Sequence, residues 1–150
     1  MNDAVAKGTC LCGKVAFQLY TLPRKYYRCH CSLCRKQSGT GHNLATLVSA
    51  KDFAWAEGAA EAIATWQRPQ GYRNDFCRSC GSTVPNTLRN SPWVWIPAGL
   101  LDTRTEMTCA GDFCLDDAMP WDSVAGECRY GDAPASLTLL LTLLDLPAPE

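Results

Sequence analysis

Seven of the ten cysteines in this chain of 150 residues fall into three tight groups. They are Cys10-Leu11-Cys12-Gly13, Cys29-His30-Cys31-Ser32-Leu33-Cys34 and Cys77-Arg78-Ser79-Cys80-Gly81. Thiolates at these spacings suit zinc, whose tetrahedral sites have bonds of about 2.3 Å and so need sulfurs about 3.8 Å apart. Two cysteines at i, i+2 share one side of an extended strand, and a slight bend converges them; two at i, i+3 straddle a turn. The glycine after Cys12 and after Cys80 suits a position with positive φ and frees an N–H to approach a sulfur. Four ligands close a structural zinc site, whereas three leave a fourth position open for chemistry. Cys10/Cys12 and Cys77/Cys80 suit a clip that holds the N-terminal strand to the middle of the chain. Cys29, Cys31 and Cys34 can surround a metal from one short loop. That site either stays open or is closed by His30, His42 or a surplus cysteine. Lys14, Arg28, Arg35, Lys36 and Arg78 flank the groups and partly offset the negative charge of a thiolate-bound zinc.

Thiols serve as ligands only where they stay reduced. Residues 1–8 contain no apolar run of the kind a secretory signal carries, and an acid stands at position three. No stretch approaches the roughly 18 apolar residues of a membrane-spanning helix. A cytoplasmic, reducing location is therefore expected, with no membrane partner. Fourteen Lys+Arg against fifteen Asp+Glu give a net charge of −1. A nucleic-acid partner is not expected, because there is no basic excess to meet phosphates. The 47% hydrophobic content excludes wholesale disorder, and the length suits one domain.

The elements that must position these cysteines read as short strands. Gly and Pro recur about every ten residues, with no repeat or linker. Val15, Phe17 and Leu19 alternate with Lys14, Gln18 and Tyr20, the pattern of a half-buried strand. Leu44 to Val48 and Trp93 to Ile96 are further strands. Ser32 to Gln37 suits one helical turn, and Ala60 to Trp66 fits helix or strand. The leucine-rich tail, Ser136 to Leu146, alternates like a strand. Equally, Leu137, Leu140, Leu141 and Leu144 share a helical face behind Ser136 as N-cap. Packing on its own domain is the plainer role for the tail, and a homodimer contact the second. The fold class expected is mainly β, with little helix.

The three cysteine groups, in this order, resemble the glutathione-dependent formaldehyde-activating enzyme family, which includes the centromere protein V domain. Gly8 to Val15, Cys29 to Lys36 with Ser38-Gly39, and Phe76 to Gly81 carry the likeness. Ala98-Gly99-Leu100-Leu101-Asp102 and Pro120-Trp121 extend it to about Asp132. The resemblance implies a zinc-binding β fold of several small coiled sheets, similar to methionine sulfoxide reductase B, over residues 1–135, with residues 136–150 as a leucine-rich tail. It implies a structural zinc on Cys10, Cys12, Cys77 and Cys80 and a catalytic zinc on Cys29, Cys31 and Cys34, two zinc ions per chain. One departure stands out: where many members carry His-Ile-aromatic nine residues before the tryptophan, this chain has Asp112-Phe113-Cys114.

A substrate thiol entering an open three-thiolate zinc site loses its proton at neutral pH and can attack an aldehyde carbonyl. The family likeness implies glutathione and formaldehyde as the small-molecule partners, in a carbon–sulfur lyase of the S-(hydroxymethyl)glutathione synthase type. The alternatives are a non-catalytic zinc-binding interaction module of the same fold and a thiol redox protein using Cys77/Cys80 or the surplus cysteines. Cys109, Cys114 and Cys128 have no ligand spacing and are expected as buried free thiols. His30, on a bend between two ligands, is expected to turn its ring away from them and support the site. His42 suits either an active-site contact or the surface. Trp55, Trp66, Trp93, Trp95 and Trp121 are expected in the core or lining a pocket.

Overall fold

A computed structural model describes residues 3–122 and 128–147. The fold is mainly β, of several small sheets with two short helices. It divides into two compact units, Met1–Pro23 with Leu47–Thr105 and Arg24–Thr46 with Glu106–Glu150.

In the first unit, β1 (Ala6–Thr9) pairs antiparallel with β2 (Ala16–Leu19). Val15, Phe17 and Leu19 are buried while Lys14 and Gln18 face outward, so the alternation in the sequence is the pleat of this strand. Phe17 and Leu19 pack with Ala6, Val48, Val94 and Ile96 in one apolar cluster. Each side chain of that size contributes about 1.5–3 kcal/mol when fully buried. A second cluster contains Cys10, Val15, Ala59, Cys77 and Val84, so two of the grouped cysteines are themselves core residues. Ala60–Ala62 makes a 3-10 turn and Ile63–Gln67 a strand, which resolves the ambiguity of that segment in favour of both readings in succession.

The second unit is built on β3 (Lys25–Cys29), which pairs antiparallel with the start of β4 (Asn43–Ser49). On its other side it pairs in parallel with the strand Thr108–Phe113. A helix, α1 (Ser32–Ser38), follows β3 at once and makes two turns where one was expected. Gly39, at φ 71°, ends it with its amide on the Arg35 carbonyl at 2.8 Å. The tail is helical over Leu137–Leu143, and the Ser136 hydroxyl accepts from the Leu139 amide at 3.0 Å. Leu140, Leu141 and Leu144 are buried on one face of it. Among the described residues no helix is long and apolar enough to cross a membrane.

Candidate metal centres

All ten cysteines are free thiols, and seven of them meet in two clusters. In the first unit Cys10 lies in the turn that joins β1 to β2, and Cys77 ends the strand Arg73–Cys77. Gly13 and Gly81 hold φ of 86° and 80°, as their place after the second cysteine of each pair requires. Their amides close turns onto the carbonyls of Cys10 and Cys77, at 3.1 and 2.9 Å, rather than approaching sulfur. Amides that do reach sulfur include those of Val15, 3.3 Å from Cys10 Sγ, and Ser79, 3.4 Å from Cys77 Sγ. Cys12 Sγ lies 3.7 Å from both Cys10 Sγ and Cys77 Sγ, the edge of a zinc–thiolate tetrahedron. The Ser82 hydroxyl and amide hold the Cys80 thiol down at about 5. Cys12 is pushed up to about 11: the Lys14 amide works against this, but desolvation and the other three thiols outweigh it. Four acids this close cannot all ionise without a cation among them, so the donor set fits a soft divalent metal.

In the second unit Cys29 ends β3, facing Asn43 and Phe113 across the two ladders. Cys31 is the N-cap of α1, its sulfur accepting from the Cys34 amide at 3.3 Å. Cys34 is buried in the first helical turn. Strand end, cap and first turn thus bring three sulfurs within 4.8 Å of one another. Hydrogen bonds from Cys29 and Cys34 pull the Cys31 thiol down to about 2. Cys31 and Cys34 in turn push Cys29 far above the ordinary thiol range. Cys34 rises to about 11, because Cys31 and burial outweigh the hydrogen bond from Cys29. Three thiolates this close repel one another, so this donor set too fits a soft divalent metal.

Behind the trio lies a network that spacing did not reveal. His30 is fully buried. Its Nε2 is 2.9 Å from Asp112 and its Nδ1 2.6 Å from Asp122. Its ring therefore turns to carboxylates and away from its neighbours' sulfurs, as expected. Asp112, buried, also accepts from Arg28 Nη1 at 3.3 Å. The residue in the family's histidine position is thus a carboxylate that anchors His30 and Arg28. His42, partly exposed, packs against His30 with ring centroids 4.9 Å apart and the rings tilted by 49°, and lies 3.4 Å from Asp122. No local spacing could have disclosed Asp122, which lies 92 residues from His30.

Desolvation raises the Asp122 carboxyl, but hydrogen bonds and charge from His30 and His42 carry it below its usual value of 3.8. The ionised group therefore stabilises the fold in full above that value, and the contribution is lost as pH falls through the lower folded one. Asp122→Asn is expected to show a shallower loss of circular dichroism below about pH 4 than the parent protein. Superimposable acid limbs would mean that the contact contributes no stability.

Two expectations need correction. Cys109, Cys114 and Cys128 are not buried: the first two are half-buried and the third exposed. Cys114 Sγ lies 3.8 Å from Cys29 Sγ. Of the tryptophans, Trp93 is buried and Trp95 half-buried, but Trp66 and Trp121 are 55% and 66% exposed and Trp55 is at the surface. Trp66 lies next to the turn of a two-stranded hairpin, which offers one face to a core and leaves the other in water.

The sequence profile of the glutathione-dependent formaldehyde-activating enzyme family matches residues 5–115. A curated Halomonas elongata protein named "Putative glutathione-dependent formaldehyde-activating enzyme" is 29% identical over 96 residues, 61% of this chain and 56% of that protein. The chain thus spans little more than half the length of that relative. A crystal structure of a Rhodobacter sphaeroides protein aligns with a TM-score of 0.54 and 25% identity, covering 69% of this chain and 98% of that one. All three cysteine groups fall inside the matched span, and the chain belongs to the glutathione-dependent formaldehyde-activating enzyme family.

Proposed function

We propose that this chain is a carbon–sulfur lyase-type enzyme that adds a thiol of the glutathione class reversibly to an aldehyde such as formaldehyde. In this reading Cys10, Cys12, Cys77 and Cys80 hold a structural zinc, and Cys29, Cys31 and Cys34 a catalytic one. The trio carries the reading: three sulfurs lie mutually within 4.8 Å, a spacing at which one cation can hold all three. A zinc ion bound there would supply the charge that lets an incoming thiol ionise at neutral pH.

The protein's part is to fix the donors before substrate arrives. β3 holds Cys29, the helix cap holds Cys31 and the first turn holds Cys34. In the reaction the substrate sulfur bonds to the carbonyl carbon and the C=O π bond opens. The oxygen takes up a proton, matching the one the thiol released, and the reverse path returns thiol and aldehyde. Arg28 is committed to Asp112 and Tyr26, which removes it from substrate binding. Arg35 suits that role: its Nε is buried and has no hydrogen-bond partner among the described residues.

The test is nuclear magnetic resonance exchange between glutathione with formaldehyde and their S-hydroxymethyl adduct. Metal-loaded protein is expected to accelerate the interconversion. Arg35→Gln is expected to raise the glutathione concentration needed for half-saturation about tenfold, one charge-assisted hydrogen bond, and to leave mercaptoethanol unaffected. Exchange no faster than background would leave a non-catalytic zinc module as the better reading.

A further inference from the structure

We propose that Cys114 is a fourth, protein-supplied thiolate for the metal site of Cys29, Cys31 and Cys34, and that a substrate thiol displaces it. The proposal rests on the reading of the trio as a metal site given above.

Its Sγ is 3.8 Å from Cys29 Sγ, which is the edge of a zinc–thiolate tetrahedron and close to the 3.7 Å spacing in the first cluster. Backbone pairing fixes that approach. Phe113 stands opposite Cys29 in the parallel ladder, and its carbonyl accepts from the His30 amide at 2.9 Å. The next residue, Cys114, takes a left-handed conformation (φ 59°, ψ 38°), uncommon outside glycine. Two hydrogen bonds hold it there: its amide on the Asp132 carbonyl at 3.1 Å, and its carbonyl accepting from the Asp117 amide at 3.0 Å.

His30 and Cys109, which could also close the site, are directed elsewhere, and His42 has one nitrogen turned to a carboxylate. Both nitrogens of His30 lie on carboxylates, and His42 Nδ1 faces Asp122. Cys109 faces Arg28 and the Gly111 carbonyl. Cys114 remains as the thiol that meets the trio. It does not fall within the 4.8 Å that the other three sulfurs share, so its own side chain must shift to complete a tetrahedron. A ligand held that way is the one an incoming thiol replaces. In the exchange the bond from Cys114 to the metal breaks, one to the substrate sulfur forms, and the substrate's proton ends on Cys114. Three ligands from the loop stay bound throughout, and no oxidant is required.

Cobalt substitution with alkylation mapping tests this on the full chain. Metal loading is expected to slow alkylation of Cys114 at least tenfold, together with Cys29, Cys31 and Cys34, and to leave half-buried Cys109 unchanged. Cys114→Ser is expected to lower the sulfur-to-cobalt charge-transfer band of that site by about a quarter, one thiolate of four. Glutathione should restore the band in the variant and barely change it in the parent, where one thiolate replaces another. Alkylation of Cys114 at one rate with and without metal, while the trio is protected, overturns the fourth ligand and leaves the trio reading intact. If Cys29, Cys31 and Cys34 are alkylated as well, both fall. The parent protein alone decides these outcomes, so they stand even if the variant folds poorly.

Discussion

Cys10→Ser is expected to abolish cooperative folding of the first unit and to release one metal ion per chain. Cys10 and Cys77 belong to the same buried cluster as Val15, Ala59 and Val84, so two of the four proposed ligands are also core. The clip joins residues 65 apart, Cys12 to Cys77, and ties the turn after β1 to the end of another hairpin. Binding free energy at such a site is folding free energy, on the order of 10 kcal/mol for zinc in small domains. That is comparable with the whole stability of a domain, about 5–15 kcal/mol. Thermal circular dichroism with metal analysis provides the measurement. Cys128→Ser, at an exposed position outside both clusters, serves as the control and should melt like the parent. If Cys10→Ser also melts like the parent and keeps its metal, the clip holds no structural ion.

Much of this arrangement is legible in the sequence because ligand spacing and strand alternation are local. The pairs and the trio lie within a few residues, and the backbone conformations that converge them follow from glycine and from a helix cap. Val15, Phe17 and Leu19 announce a pleat by an equally short-range pattern, whereas the tail's leucines fit strand and helix alike and the structure takes the helix capped by Ser136. What escapes is what the parallel pairing of Thr108–Phe113 with β3 creates. That pairing sets Asp112 beside Arg28 and His30 and brings Cys114 to Cys29, across 82 to 85 residues. Parallel strands need a long crossover, so no turn signal marks which segments will meet. Exposure of the tryptophans escapes for a related reason. A two-stranded hairpin carries the same residue types as a buried strand, and only the missing neighbour strand leaves Trp66 in water.

Cys31→Ser is expected to remove the second metal ion and lower activity about a hundredfold or more, since metal charge stabilisation is worth several kcal/mol. The fold should survive, for three separable reasons. Serine is a strong N-cap, so its oxygen can take over the acceptance from the Cys34 amide and keep α1 in place. The trio itself spans only residues 29–34, against 65 between Cys12 and Cys77, so its closure constrains far less chain. By the logarithmic loop law that difference is about 2 kcal/mol. The ladder from Thr108↔Lys25 to Phe113↔Cys29 also holds the Cys114 segment against β3 whether or not a metal is bound. Cys31→Ala removes the cap as well and should cost about 1 kcal/mol more than serine. Metal analysis, circular dichroism and the glutathione–formaldehyde exchange rate, measured on both variants, separate ligand loss from helix loss. Global unfolding of Cys31→Ser would make the trio a structural site. Full metal content would show that Cys31 is not a ligand, since an alcohol is a far poorer donor than a thiolate to a soft cation.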